Sequence, residues 1–180
     1  MLGNRRGGIL LTNILTNADF ADGTTGYAET VGGNATVSID TARLKIIKTV
    51  ETSAGMTITT AISPVSGHTY YYRYKEYYTS DTLAQLNVRA YYYDPTIFAP
   101  TNYVLKNVDT EFSYSGVTAM TTQTELRWSM SIGTSEADNI IRFMYEPIII
   151  DLTLAFGAGN EPDSTWCDAN IPFFATSIVI

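Results

Sequence analysis

Seven runs along the chain alternate apolar with polar residues: Arg43 to Val50, Met56 to Ile62, His68 to Tyr78, Ala84 to Tyr93, Thr110 to Thr118, Thr124 to Ile132 and Asn139 to Leu152. Successive side chains of extended backbone point to opposite faces, so each run predicts a half-buried strand. The segments between them carry turn chemistry: Ser53-Ala54-Gly55, Ser63-Pro64-Val65-Ser66-Gly67, Ser80-Asp81, Asp94-Pro95, Ser115-Gly116 and Gly133-Thr134-Ser135. Glycine, proline, aspartate and serine at that spacing let a sheet sandwich reverse direction. Alternation also assigns faces. From His68 onward, Tyr70, Tyr72, Tyr74 and Tyr78 share the side expected to meet a core, and Tyr71, Arg73, Lys75 and Tyr77 the side expected to meet solvent. In the next run Leu86, Val88, Ala90 and Tyr92 oppose Gln85, Asn87, Arg89, Tyr91 and Tyr93; in the run from Thr124, Leu126, Trp128, Met130 and Ile132 oppose Glu125, Arg127, Ser129 and Ser131.

Towards the end the pattern changes. Ile148 to Ile150 is an unbroken β-branched run, as in a strand covered on both faces, and Gly157 and Gly159 then supply positive φ for a sharp turn. Pro162 favours extended backbone at Glu161, and Asp163 is the predicted N-cap of a short helix running through Trp166 and Asp168. Trp166 is expected to pack that helix on the sandwich. These glycines and this proline have a sufficient backbone explanation as a corner.

Composition supports the same class. Thirteen tyrosines and only 16% charged residues favour strands over helices, and 45% hydrophobic residues in 180 suffice for one large core. No repeat and no linker divides the chain, so we expect a flexible leader over 1–8 and a single all-β domain over 9–180. The leader has Arg5 and Arg6, but Ile9-Leu10-Leu11 is too short for the apolar part of a signal peptide, and no apolar run approaches the length of a membrane span. A net charge of −7 argues against nucleic acid as a partner. Cys167 is the single cysteine, which rules out an intrachain disulfide and the metal patterns built on cysteine pairs.

The outward set forms a candidate binding face. A sugar ring presents C–H groups to an aromatic plane and hydroxyls to fixed polar side chains, and Tyr71, Arg73, Gln85, Asn87, Arg89, Tyr91, Glu125 and Arg127 are residues of those kinds. A solvated face of cross-strand Tyr, Arg and Glu pairs would have the same composition.

Several words of the chain add to this. The ending "IDLT…FGAGNEP" (from Ile150) with "WCDANIPFF" (from Trp166) resembles the closing segment of a β-sandwich domain of tail and other virion proteins from phages and prophages of Gram-positive bacteria. The opening Asn13-Ile14-Leu15-Thr16-Asn17-Ala18-Asp19-Phe20, with Asp22 to Tyr27, resembles the start of carbohydrate-binding-module-like jelly rolls, and "GHTYYYRY" at Gly67 to Tyr74 fits the same pattern. The resemblance covers about residues 9 to 174. It implies a two-sheet antiparallel jelly roll with one short C-terminal helix, in which the first and last strands pair. It also implies a structural Ca²⁺, for which Asp19, Asp22 and Asp151 remain as oxygen ligands, although Ala21 stands where relatives carry an acidic residue. Tyr27 stands where such modules carry tryptophan and is expected to serve as an aromatic core anchor.

No enzyme chemistry competes with this reading. His68 is the only histidine and starts a strand, Cys167 has no set of basic partners, and Glu76, Glu111, Glu125, Glu136 and Glu146 are scattered. The expectation is therefore a non-enzymatic virion protein of a phage tail, baseplate, fibre or head decoration. It would contact other virion proteins, self-associate, most simply as a trimer, and attach to host-wall glycans outside the cell after lysis. The second expectation is a carbohydrate-binding module of a secreted or prophage-encoded hydrolase.

Overall fold

In a computed structural model, the chain is described over residues 8–30, 35–48, 56–79, 85–87, 91–93, 103–105, 111–121, 125–132 and 140–180. The strands are β1 (Leu10–Thr12), β2 (Ala28–Thr30), β3 (Ala35–Ile39), β4 (Leu44–Lys48), β5 (Met56–Ile62), β6 (Thr69–Thr79), β7 (Gln85–Asn87), β8 (Tyr91–Tyr93), β9 (Tyr103–Leu105), β10 (Glu111–Ala119), β11 (Glu125–Ile132), β12 (Ile140–Asp151) and β13 (Ser177–Val179). Two short helices, α1 (Leu152–Phe156) and α2 (Ser164–Asn170), follow β12. A five-stranded sheet in the order β10-β6-β12-β4-β3 and a four-stranded sheet in the order β2-β5-β11-β8 make the sandwich; β1 pairs β13, and β7 pairs β9. Every pairing is antiparallel.

The expected all-β sandwich is the observed fold, with first and last strands paired as Leu10↔Val179, Leu11↔Ile178 and Thr12↔Ser177. The run Ala84 to Tyr93 differs from expectation. It forms two strands, β7 and β8, that enter different sheets. Of the expected leader, residues 1–7 lie outside the described residues, whereas Gly8 lies against Val179 closely enough to leave no room for a Cβ.

Inside the sandwich, the inner face of the five-stranded sheet carries Tyr70, Tyr72, Tyr74, Leu44, Ile46, Met144 and Ile149, all buried. Tyr72 lies across its direct partner Gly116, where a Cβ would stand 2.5 Å from the Tyr72 hydroxyl. The glycine on β10 thus makes room for the ring on β6. Tyr27 is buried as an aromatic anchor, its ring centroid 5.3 Å from that of Phe20.

β12 is one strand with two registers. Tyr145 pairs Lys75 but Ile148 pairs Arg73, so one extra residue bulges out at Glu146-Pro147, with Glu146 at φ 54°. Proline suits such a position because it has no N–H to offer a ladder. The bulge reverses the alternation: Phe143 and Tyr145 point outward before it, and Ile148 and Ile150 after it.

Asn13 ties the terminal segments to this bulge. Its Nδ2 donates to the carbonyls of Pro147 (3.0 Å) and Phe174 (3.1 Å), and its Oδ1 accepts from the amides of Leu15 (3.2 Å) and Ile149 (3.1 Å). Asn13 is 5% exposed, and all four of its side-chain hydrogen-bonding positions are used.

Candidate functional site

Of the eight residues expected to form one glycan face, seven are described, and they lie in three sheets. Tyr71 and Arg73 are on β6, Gln85 and Asn87 on β7, Tyr91 on β8, and Glu125 and Arg127 on β11; Arg89 lies outside the described residues. Among them, Tyr91 and Arg127 occupy directly opposed positions across β8 and β11.

Tyr71 is the clear correction. It is fully buried, in a cluster with Leu11, Ile148, Ile150, Leu152, Cys167, Ile171 and Phe174. Period two groups it correctly with Arg73, but α2 and the terminal strands cover this end of the outer face. The Tyr71 hydroxyl donates to Asp168 Oδ1 (2.8 Å), Ser115 Oγ donates to Asp168 Oδ2 (2.9 Å), and Arg73 Nη1 donates to the Ile171 carbonyl (2.8 Å). Burial first, and then the Asp168 carboxylate, push the Tyr71 phenol well above its ordinary pKa. Arg73 is thereby part of the clamp on the segment after α2.

The closing motif builds this cover. Asp163 caps α2 as predicted, its Oδ1 accepting from Trp166 N at 2.8 Å. Gly157 (φ 89°) and Gly159 (φ 78°) take the positive φ expected of them. Expectation and structure part over Trp166. The residue buried against the sheet is Cys167, while Trp166 is half-exposed and meets Phe156 edge-on at 5.5 Å. The pattern of residues gives no sign of the other helix, α1. Asp151 caps it, Oδ1 accepting from Leu154 N (2.9 Å), while Oδ2 lies 2.7 Å from His68 Nδ1. Thr153 Oγ1 accepts from Thr69 N (2.9 Å) and donates to Glu161 (2.5 Å), a bond that holds the Glu161 carboxyl below its ordinary pKa. Each of these polar residues is engaged in holding the corner.

The expected calcium ligands do not assemble. Asp151 is committed to the α1 cap and His68, Asp19 Oδ1 accepts from Ala21 N (3.3 Å), and no group of three His, Cys, Asp or Glu that could hold a metal occurs among the described residues. Cys167 is buried, and burial pushes its thiol up to about 12.

The other end of the outer face lies beyond the bulge. Its rows follow from register: Ser38, Lys45, Phe143, Tyr77 and Glu111 in one, Tyr145, Lys75 and Ser113 in the next. Tyr77 and Tyr145 are half-buried, and Ser38 and Ser113 are exposed. Tyr77 and Phe143 have centroids 5.9 Å apart. Arg43 Cζ lies 4.4 Å and Lys45 Nζ 5.6 Å from the Phe143 ring centre, and Lys75 Nζ lies 5.8 Å from that of Tyr145. Lys75 also pairs Glu146 at 3.1 Å, and Arg43 and Lys45 each stand 3.8 Å from Asp40 Oδ2. Aromatic rings, cations, carboxylates and hydroxyls thus share one face. Alternation places Lys75 and Tyr77 on this side. Phe143 and Tyr145 escape sequence reasoning because their side depends on the bulge.

No protein-family model matches the chain, and no curated protein matches it by sequence. Among solved structures, the enzymatically active domain of tailspike protein 4 of bacteriophage CBA120 is similar over 76% of this chain, with TM-score 0.54 and 11% identity; the match spans 21% of that protein. A carbohydrate-binding module of the CBM4 type is similar over 76% of this chain and 99% of its own length, with TM-score 0.50 and 14% identity. At these identities the likeness concerns the fold: a two-sheet antiparallel sandwich like that of carbohydrate-binding modules and of one part of a phage tailspike.

Proposed function

We propose that this protein is a non-enzymatic component of a phage virion, in a tail, baseplate, fibre or head decoration, that attaches to host-surface glycans through the outer face of its five-stranded sheet beyond the bulge. The supporting observation is that face: Tyr77, Phe143 and Tyr145 side by side with Lys45, Lys75 and Ser113, on a sheet whose other end is sealed by α2. Planar rings beside fixed polar groups are the chemistry of saccharide recognition. Tyr91 and Arg127 stay in the proposal as a second contact on the other sheet. Its partners would be other virion proteins and further copies of itself, and it would work outside the cell after lysis.

The test is binding of the full chain to purified host-wall polysaccharide and whole cells, with Tyr145→Ala and Tyr77→Ala compared with the parent at matched folding. Loss of binding in either variant supports attachment through this face. A parent that binds neither target, or variants that bind as the parent does, would leave an architectural virion role. The second reading, a carbohydrate-binding module of a hydrolase, is favoured by the match to a CBM4-type module over 99% of that module's length. A neighbouring catalytic domain encoded in the same reading frame would decide for it.

A further inference from the structure

β1 is an edge strand that β12 begins to cover and then leaves. Ile9 and Ile180 exchange both backbone bonds, and Asn13 N donates to the Thr176 carbonyl, so the bonded positions of the ribbon are the odd-numbered residues of β1 and its flanks. Bonded and open pairs alternate in an antiparallel ladder, which turns the amides and carbonyls of Leu10 and Thr12 away from β13. Among the described residues, β13 is the only strand in a ladder with β1. The far edge meets β12 where Ile14 N donates to the Ile149 carbonyl (2.9 Å). Counted on antiparallel from that contact, Thr12 would fall opposite Asp151 and Leu10 opposite Thr153. The chain turns into α1 at Leu152 instead.

That departure opens a cleft of about 330 Å³ between β1 and α1, with Leu10, Thr12 and Ile14 on one wall and Asp151, Leu154 and Ala155 on the other. Leu10 and Leu154 are exposed. None of the lining residues among those described is aromatic, so the cleft lacks the ring on which a sugar stacks. The Asp151 carboxylate is already engaged by Leu154 N and His68. What the cleft presents is peptide groups in line: those of Leu10 and Thr12 stand about 7 Å apart, the repeat of alternate residues in extended chain. A bare edge is a template for another strand, and Leu10-Leu11-Thr12 has neither the proline nor the lysine that commonly blunts one.

We propose that this cleft takes an extended segment of another polypeptide chain, which adds to the free edge of β1 as a strand and sets an apolar residue against Leu10, Leu154 and Ala155. Backbone bonds to Leu10 and Thr12 would fix its register, and the apolar contacts would select its side chains. The site is separate from the glycan face, which lies beyond the bulge, and neither reading depends on the other.

The probe is a synthetic octapeptide of alternating threonine and valine with a lysine at each end, titrated to millimolar concentration into the isotope-labelled full chain. Its counterpart carries N-methyl groups on the inner residues, with the same side chains and charge but no backbone donors there. Resonance shifts at Leu10, Thr12 and Leu154, with slower amide exchange at Leu10 and Thr12, are expected with the first peptide and not with the second. Thr12→Pro removes a cleft-facing amide and should weaken binding about tenfold, the worth of one backbone bond. Ser177→Pro removes an amide from the opposite edge of the ribbon and should bind as the parent does, which separates a lost contact from a loosened ribbon. No shift at Leu10 or Thr12, equal binding of the N-methylated peptide, or equal losses in the two proline variants would overturn the proposal. If either proline variant melts below the parent, the two peptides on the parent chain decide alone.

Discussion

Replacing Asn13 with alanine would strip four buried groups of their partners in one step: the carbonyls of Pro147 and Phe174 and the amides of Leu15 and Ile149. Each intramolecular hydrogen bond contributes about 1 kcal/mol net, and an orphaned buried group costs about 1–3 kcal/mol. Water entering the space left by the side chain would recover part of that. A loss of about 3–5 kcal/mol is therefore expected, a large share of the roughly 5–15 kcal/mol that holds a domain folded. For a chain of this length the melting temperature should fall by about 6–20 °C. Asn17→Gly is the matched control. Asn17 also makes three side-chain bonds, to the carbonyls of Gly23 (2.9 Å) and Thr25 (3.2 Å) and from Asp22 N (3.0 Å), but in a solvent-exposed turn at φ 54° that glycine adopts freely. Water can replace those bonds, so the control should cost under about 1 kcal/mol. Urea titrations of parent and both variants decide it. An Asn13→Ala loss below about 1 kcal/mol, or equal losses for the two variants, would refute the claim that burial gives Asn13 its weight.

Alkaline pH should unfold the protein. Burial raises the pKa of Tyr27, Tyr70, Tyr71, Tyr72 and Cys167, so the folded chain holds protons that the unfolded chain releases, and stability present below their ordinary values falls as pH climbs through and beyond about 10. Tyrosinate absorbance should appear together with unfolding, and Cys167 should react with a thiol reagent only then; independent tyrosine titration at constant stability would contradict this. Gly116→Ala forces a methyl into the Tyr72 ring and should cost about 1–3 kcal/mol in denaturant titration, with no loss expected if the ring can swing aside. Melting curves with millimolar calcium and with EDTA should coincide, because Asp19, Asp22 and Asp151 form no common group; a calcium-dependent rise would refute this and point to a site completed by backbone or amide oxygens. Leu10 (59% exposed), Val179 (64%) and Leu154 (77%) give an apolar surface costly to leave in water, so light scattering should report self-association, with a trimer as the expected species and a monomer at tens of micromolar refuting it.

What is legible from residues alone is local. Asp163 before a short helix, Gly157 and Gly159 at positive φ, and Tyr27 as an aromatic anchor each depend on chemistry within a few positions. What misleads is distance. Period two says which residues of β6 share a side; whether that side is wet is decided by Cys167 and Ile171, nearly a hundred residues later, which bury Tyr71. The outward side of Phe143 and Tyr145 escapes for a different reason. Alternation from Asn139 to Leu152 reads as one unbroken strand, and a single inserted residue at Glu146-Pro147 changes which residues face out. Asn13 stands in the opening motif, but its partners in β12 and beyond lie 134 to 161 positions away, beyond any spacing rule.

The pairing of the first and last strands also fixes how the domain would bear tension. Ile9 and Ile180 exchange two backbone hydrogen bonds, of 2.8 and 3.0 Å, at the outer end of the β1–β13 ribbon. A pull between these two residues would act along the ladder bonds and break them in turn, as a zip opens, instead of shearing them together. Leu10↔Val179, Leu11↔Ile178 and Thr12↔Ser177 would part in that order at modest force. The front would then meet Asn13, whose amide donates to the Thr176 carbonyl (2.8 Å) and whose side chain grips Phe174 and the β12 bulge. Under load the ribbon is the yielding element and Asn13 the stop, so a pull on Ile9 and Ile180 would part four residue pairs, that of the core residue Leu11 among them, before it reached Asn13.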